Sequence, residues 1–220
     1  MMMRKLITSI LSFIMVSASL WITPTWAQSS VSQDIISQAE RWFENITTMR
    51  AEFTQISSDG SAATGTLYLR RPKQMRLHYD GDARVALIVS QGWLHVDEGA
   101  AERVNSYPIG ATPFAPMLKE DIQLRSPQFV QKTASKSGIA SVTIIQETGE
   151  AAGELTLEFS EKPFALRRWI ITDAVGVTTK VTLQNPVFGE SFNNFLFAHT
   201  SYYYLQGFHN KKSHYRPLQK

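Results

Sequence analysis

Between Val31 and Thr48 the apolar residues Ile35, Ala39, Trp42, Phe43 and Ile46 recur at helical spacing. They form one stripe, so the spacing predicts an amphipathic helix over about 31–48, with Ser30 or Ser32 as its N-cap. Beyond it the period changes to two. Alternation of apolar and polar residues predicts strands near 49–57, 62–71, 74–80, 84–90, 92–97 and 102–107. A second series follows near 127–135, 139–147, 153–160, 165–173 and 176–184, with a last strand near 194–200. Turn sequences such as SSDGS, YDGD, ASKSG and DAVG separate many of them. Short strands at this spacing predict a mainly β chain whose antiparallel sheet curls toward a barrel.

One stretch breaks the meander. In SYPIGATPFAPMLKEDIQL the prolines at 108, 113 and 116 exclude a central strand. Pro113 to Lys119 fits a short helix carrying Phe114, Met117 and Leu118. The helix, this short element and FGESFNNF are the segments available to cover one face of the sheet. They offer few apolar side chains against so many strands, so the interior is either a ligand cavity or a filled sandwich core; pattern alone leaves both open. Strand parity places Leu67, Leu69, Leu77 and Tyr79 on the inward face. The same parity puts Arg71 at the end of that apolar row and Arg70 on the opposite face.

The first residues stand apart from this pattern. Arg4 and Lys5, the apolar run Leu6 to Ile22 and the small-residue end Thr25-Trp26-Ala27 read as a secretory signal peptide over 1–27. Residues 28–220 then form one domain, with no internal repeat or linker. The chain has no cysteine, which removes a disulfide framework and a lipid-modified thiol anchor. A soluble, exported, monomeric protein follows as the expectation. Without Arg4 and Lys5 the formal net charge of +3 falls to +1, so nothing asks for nucleic acid.

Catalytic motifs are absent: there is no GxSxG, P-loop, GxGxxG or HExxH. The five histidines show no metal-ligand spacing. His78 and His95, beside Leu77 and Leu94, are expected to point outward from a half-buried sheet, and Asp97, Glu98 and Glu102 to lie on a solvated loop. No catalytic residue, metal or cofactor is expected.

The order of the helix, FTQ (Phe53-Thr54-Gln55), GTLYLRRP (65–72), GWLHV (92–96) and TPFAPML (112–118) resembles the periplasmic lipoprotein carrier family, LolA. The resemblance runs from about Val31 to Phe197. It implies an open antiparallel β-barrel of about eleven strands with an N-terminal helix and a short helical lid. It also implies a periplasmic chaperone, not an enzyme. Such a chaperone binds the acyl chains of lipoproteins and carries them from an inner-membrane ABC transporter to an outer-membrane receptor. Arg71, preceding Pro72, matches the arginine that holds the lid shut by hydrogen bonds. Leu67, Leu69, Leu77, Tyr79, Phe114, Met117 and Leu118 would line the acyl-chain cavity. Two alternatives stand beside this: a periplasmic lipid or lipoprotein sensor on the same fold, and a lipid hydrolase with a nucleophile facing a base inside the cavity. Residues 201–220, with their tyrosines and scattered basic residues, depart from the family pattern.

Overall fold

The computed structural model describes residues 26–82, 85–98, 103–112, 115–126, 129–146 and 152–198. Helix α1 (Trp26–Glu44) leads into two successive meanders of antiparallel strands. The first six strands are β1 (Thr48–Ser57), β2 (Ala62–Arg70), β3 (Gln74–Tyr79), β4 (Val85–Ser90), β5 (Trp93–Glu98) and β6 (Arg103–Pro108). After a 3-10 turn (Ile109–Ala111) and the short helix α2 (Ala115–Leu118) come β7 (Val130–Lys136), β8 (Ile139–Gln146), β9 (Gly153–Glu161), β10 (Phe164–Asp173) and β11 (Thr178–Phe188). All eleven belong to one antiparallel sheet in the order β6-β5-β4-β3-β2-β1-β11-β10-β9-β8-β7. The pairing of β1 with β11 joins the two halves of the chain, while β6 and β7 remain edges. The barrel is therefore open between β6 and β7.

Alternation works here because one face of each strand is buried. Met49, Ala51 and Phe53 of β1, Leu67 and Leu69 of β2, and Met75 and Leu77 of β3 point into a single core. Leu155, Leu157 and Phe159 of β9 join them from the other half. Helix α1 lays Ile35, Ile36, Ala39 and Phe43 onto this core. Each fully buried large apolar side chain contributes about 1.5–3 kcal/mol. Gly65 is required where the Phe53 ring crosses β2. A Cβ there would sit 2.1 Å from the His78 carbonyl oxygen and 2.7 Å from the Phe53 ring.

Several expectations differ from the structure. Helix α1 begins at Trp26, so Ser30 and Ser32 lie inside it and neither is its N-cap; nothing from Trp26 onward breaks a helix, the nearest proline being Pro24. It ends at Glu44, and Ile46 is buried from the connection to β1. The segment expected as a last strand is a 3-10 turn, Asn194–Phe197, whose Asn193 side chain accepts from the Phe195 backbone N–H at 2.9 Å. Only Phe188, the last residue of β11, takes the concave face; the rest of FGESFNNF does not cover it. It crosses the outer face as a strap: Glu190 pairs with Arg50 of β1, Phe192 packs on Tyr68 of β2, and the Leu196 carbonyl accepts from Arg76 of β3. Along this outer face Ala86, Ile88, Ser90, His95 and Asp97 are buried. His95 therefore does not point into solvent, and Asp97 belongs to β5, not to a loop. His78 is exposed as expected. Among the described residues no helix is long and apolar enough to cross a membrane.

Candidate functional site

The site forms where the Arg70-Arg71-Pro72 turn leaves β2. The backbone fixes the turn first: Arg71 N–H donates to the Thr47 carbonyl at 2.8 Å, and Lys73 N–H to the Leu118 carbonyl at 3.1 Å. The Arg71 guanidinium then reaches across two helix ends. Nη1 donates to the carbonyl of Phe43, in the last turn of α1. Nη2 donates to the carbonyls of Lys119 at 2.6 Å and Glu120 at 3.0 Å, just beyond α2. Carbonyls at a helix C-terminus have no intrahelical partner and favour a cation, so these positions suit an arginine.

Burial pulls the Arg71 pKa below its ordinary value, against a smaller opposing pull from Glu44; a guanidinium remains charged regardless. Its Nε is buried without a hydrogen-bond partner. One side chain thus ties β2, α1 and the segment after α2 together.

That segment has further ties to α1. Glu40 accepts from Leu124 N–H at 3.0 Å and lies 3.7 Å from Arg125, which also bonds Ser37. An exposed ion pair joins Lys73 to Glu120 at 3.0 Å and contributes little. Beneath these polar ties Met117, Leu118, Ile122 and Leu124 are buried against the barrel. Ile122 and Leu124 escaped the sequence reading, although DIQL carries the alternation that marks them.

Under the cover the interior is nearly full. A cavity of about 10 Å³ remains, roughly the room for one water. Leu67, Leu69 and Met117 line it, with Phe43, Met49, Met75, Leu166 and Trp169. Leu77 and Leu118 are buried in the same core, outside this lining. Tyr79 packs edge-on against Phe53 at 5.2 Å and donates to Gln55 Oε1 at 2.8 Å. Burial pushes its pKa up to about 12. Phe114 lies outside the described residues.

The cavity lining is aliphatic, aromatic and thioether, with no nucleophile or acid–base group. Such a surface can hold apolar chains, and flexible methionines suit chains of variable shape. A serine–histidine contact does exist, His95 Nδ1 to Ser106 Oγ at 2.8 Å, with Asp97 two residues along β5. Strand pairing places it on the outer face with Ile88. It does not face the interior that a lipid hydrolase would use.

Arg70 takes the other face. Its Nε donates to Gln74 at 2.7 Å, its Nη1 to the Phe192 carbonyl at 3.1 Å and Asn194 Oδ1 at 2.9 Å, and its guanidinium lies 4.7 Å from the Phe197 ring centre. It takes the face that parity assigned and fastens the strap there.

Residues 44–200, more than half of the chain, match the family described as Outer membrane lipoprotein carrier protein LolA. Comparison with curated proteins by sequence finds no match. Similar solved structures include an uncharacterized conserved protein from Thermus thermophilus, 8% identical, covering 78% of this chain and 96% of that one with a TM-score of 0.48. A LolA superfamily protein from Nitrosomonas europaea is 6% identical, covers 76% and 97%, and gives 0.45. MucB is 11% identical, covers 78% and 64%, and gives 0.46.

Proposed function

Since the chain belongs to the LolA family of outer membrane lipoprotein carrier proteins, we propose that it is a periplasmic carrier. It holds the acyl chains of lipoproteins inside the barrel, receiving them from an inner-membrane ABC transporter and handing them to an outer-membrane receptor. The observation that supports this best is the Arg71 clasp. An apolar interior is closed by two helix ends, and the bonds closing it converge on one guanidinium. In this reading the clasped form is the shut one. Cargo enters when α1 and the 115–125 segment lift away and the interior opens from its residual 10 Å³.

Such a clasp gives a carrier the affinity it needs. Burying acyl chain contributes about 0.8 kcal/mol per CH₂, so several chains in a preformed cavity would hardly leave. Opening breaks charge-assisted bonds and offsets part of that gain. Leu67, Leu69, Leu77, Tyr79, Met117 and Leu118 become wall and lid underside of the opened cavity, and Phe114 is proposed for the same underside. The test is a paired assay with purified protein: release of a lipoprotein from inner-membrane vesicles, then its transfer to outer membranes. A carrier performs both steps. A protein that binds lipoprotein but never transfers it is a sensor, and the proposal fails.

A further inference from the structure

The sheet has a second opening, between β10 and β11. Their pairing runs only from Thr172↔Thr178 to Arg168↔Thr182. Immediately beyond the last pair both strands are irregular. β10 carries an extra residue, Arg167, against β9, and β11 carries Asn185 and Pro186 against Ala51 of β1. Asn185 has φ 48°, and Pro186 has no N–H to offer a neighbour. Paired irregularities bend the strands apart, so residues 164–167 and 183–188 share no backbone hydrogen bond.

The gap is apolar within and charged at its outer lip. Phe188 pairs with Met49 and so takes the inward face, yet it is 49% exposed. Across the gap Phe164 stacks on Phe159 at 4.8 Å. Trp42 of α1 stands between them, 5.7 Å from Phe159 and 6.5 Å from Phe188, ring centre to ring centre. Behind it Leu166 and Met49 line the interior cavity. At the lip lie exposed Arg167 and the Arg50–Glu190 pair. The residue after Trp42 is Phe43, whose carbonyl Arg71 holds. Releasing Arg71 therefore frees the turn of α1 that carries Trp42.

We propose that this gap is a side gate for acyl chains, with Trp42 as its plug and Arg71 as its release. The inference rests on the carrier reading above. The bound chain lies in the interior, and its polar end projects between β10 and β11 past Phe188 toward the charged lip. Continuity with the cavity, the apolar throat and the charged rim favour an acyl chain with a polar end over a docked peptide strand. A peptide would need the exposed strand edges and not the aromatic throat.

The chain has no cysteine, so single-site labelling is direct. The probe is stearic acid bearing a nitroxide next to its carboxyl end, with fluorophores on Phe188→Cys and, at the far end of β1, Ile56→Cys. Quenching at 188 and not at 56, saturating together with binding, is the expected result. Trp42→Ala should speed stearate dissociation about tenfold. Binding without quenching at 188, or a Trp42→Ala variant that releases at the parent rate, overturns the gate and leaves the carrier reading intact. Failure to bind stearate at all overturns both. Val187→Ser, at an exposed position on the outer face of the same stretch, should leave both quenching and dissociation unchanged; a large effect there would point to the strand edge and against the throat.

Discussion

Replacing Arg71 with leucine removes the guanidinium that joins β2 to the ends of α1 and α2; the Lys119 and Glu120 carbonyls must then find water, while the Phe43 carbonyl keeps the Ile46 N–H at 3.3 Å. Charge-assisted bonds contribute roughly 1.5–3 kcal/mol each when buried. This guanidinium is only partly buried, and the Lys119 and Glu120 carbonyls lie near solvent. We therefore take about 2 kcal/mol for the set. At 1.4 kcal/mol per tenfold, the open population rises about 30-fold. While the open form stays a minor one, apparent affinity for an acyl probe rises by the same factor. Leucine also adds aliphatic wall to the cavity. The assay titrates a fluorescent fatty acid into both proteins and follows hydrogen exchange over residues 115–126. Tighter binding, faster exchange and failed delivery to outer membranes are expected. Parent-like affinity and delivery would refute the clasp. Arg70→Leu is the control: it should loosen the strap and lower Tm by several degrees, with probe affinity unchanged once the folded fraction is matched.

Met117→Asp places a carboxylate on the wall that acyl chains would meet, where covering it with apolar chain costs several kcal/mol, so lipoprotein release from inner-membrane vesicles should fail. Circular dichroism should stay native; an unfolded variant would make Met117 part of the core that holds the fold. Tyr79 carries a pKa raised from 10.0 to about 12, so its neutral form is favoured in the fold. Its contribution is complete below pH 10 and is lost as pH climbs to about 12, an order of 2–3 kcal/mol at most. Tyr79→Phe should flatten the alkaline limb of a stability–pH curve in that window; an unchanged slope would contradict it. Gly65→Ala forces a Cβ into the His78 carbonyl and the Phe53 ring, and should cost at least about 2 kcal/mol in a denaturant titration.

The succession of strands along the chain and much of the inward face were legible because each strand has one buried side, and period two reports that directly; the pairing of β1 with β11 was not. Leu67, Leu69 and Leu77 are buried together for this reason. His95 and Asp97 were misread because parity gives the face a residue takes and not whether that face is covered. The strap that crosses the outer face over β1 to β3 comes from more than a hundred residues further along the chain, and pairwise alternation carries no trace of it. The same strap made Arg70 a structural residue. Asn194–Phe197 was read as the start of a last strand, while the Asn193 side chain, accepting from the backbone N–H two residues ahead, sets a turn. Arg71 was placed on the apolar row by parity, but its partners, three carbonyls at the end of α1 and just beyond α2, emerge only from the three-dimensional fold. The gap beside Phe188 was beyond the sequence, since it depends on where two irregular strands stop pairing.

The most direct test of the account is native mass spectrometry of the protein taken from a periplasmic extract without detergent exchange. The account predicts a fraction carrying an intact acylated lipoprotein, absent from a Met117→Asp preparation. Protein that is always empty, or bound only to free fatty acid released from lipid, would contradict it.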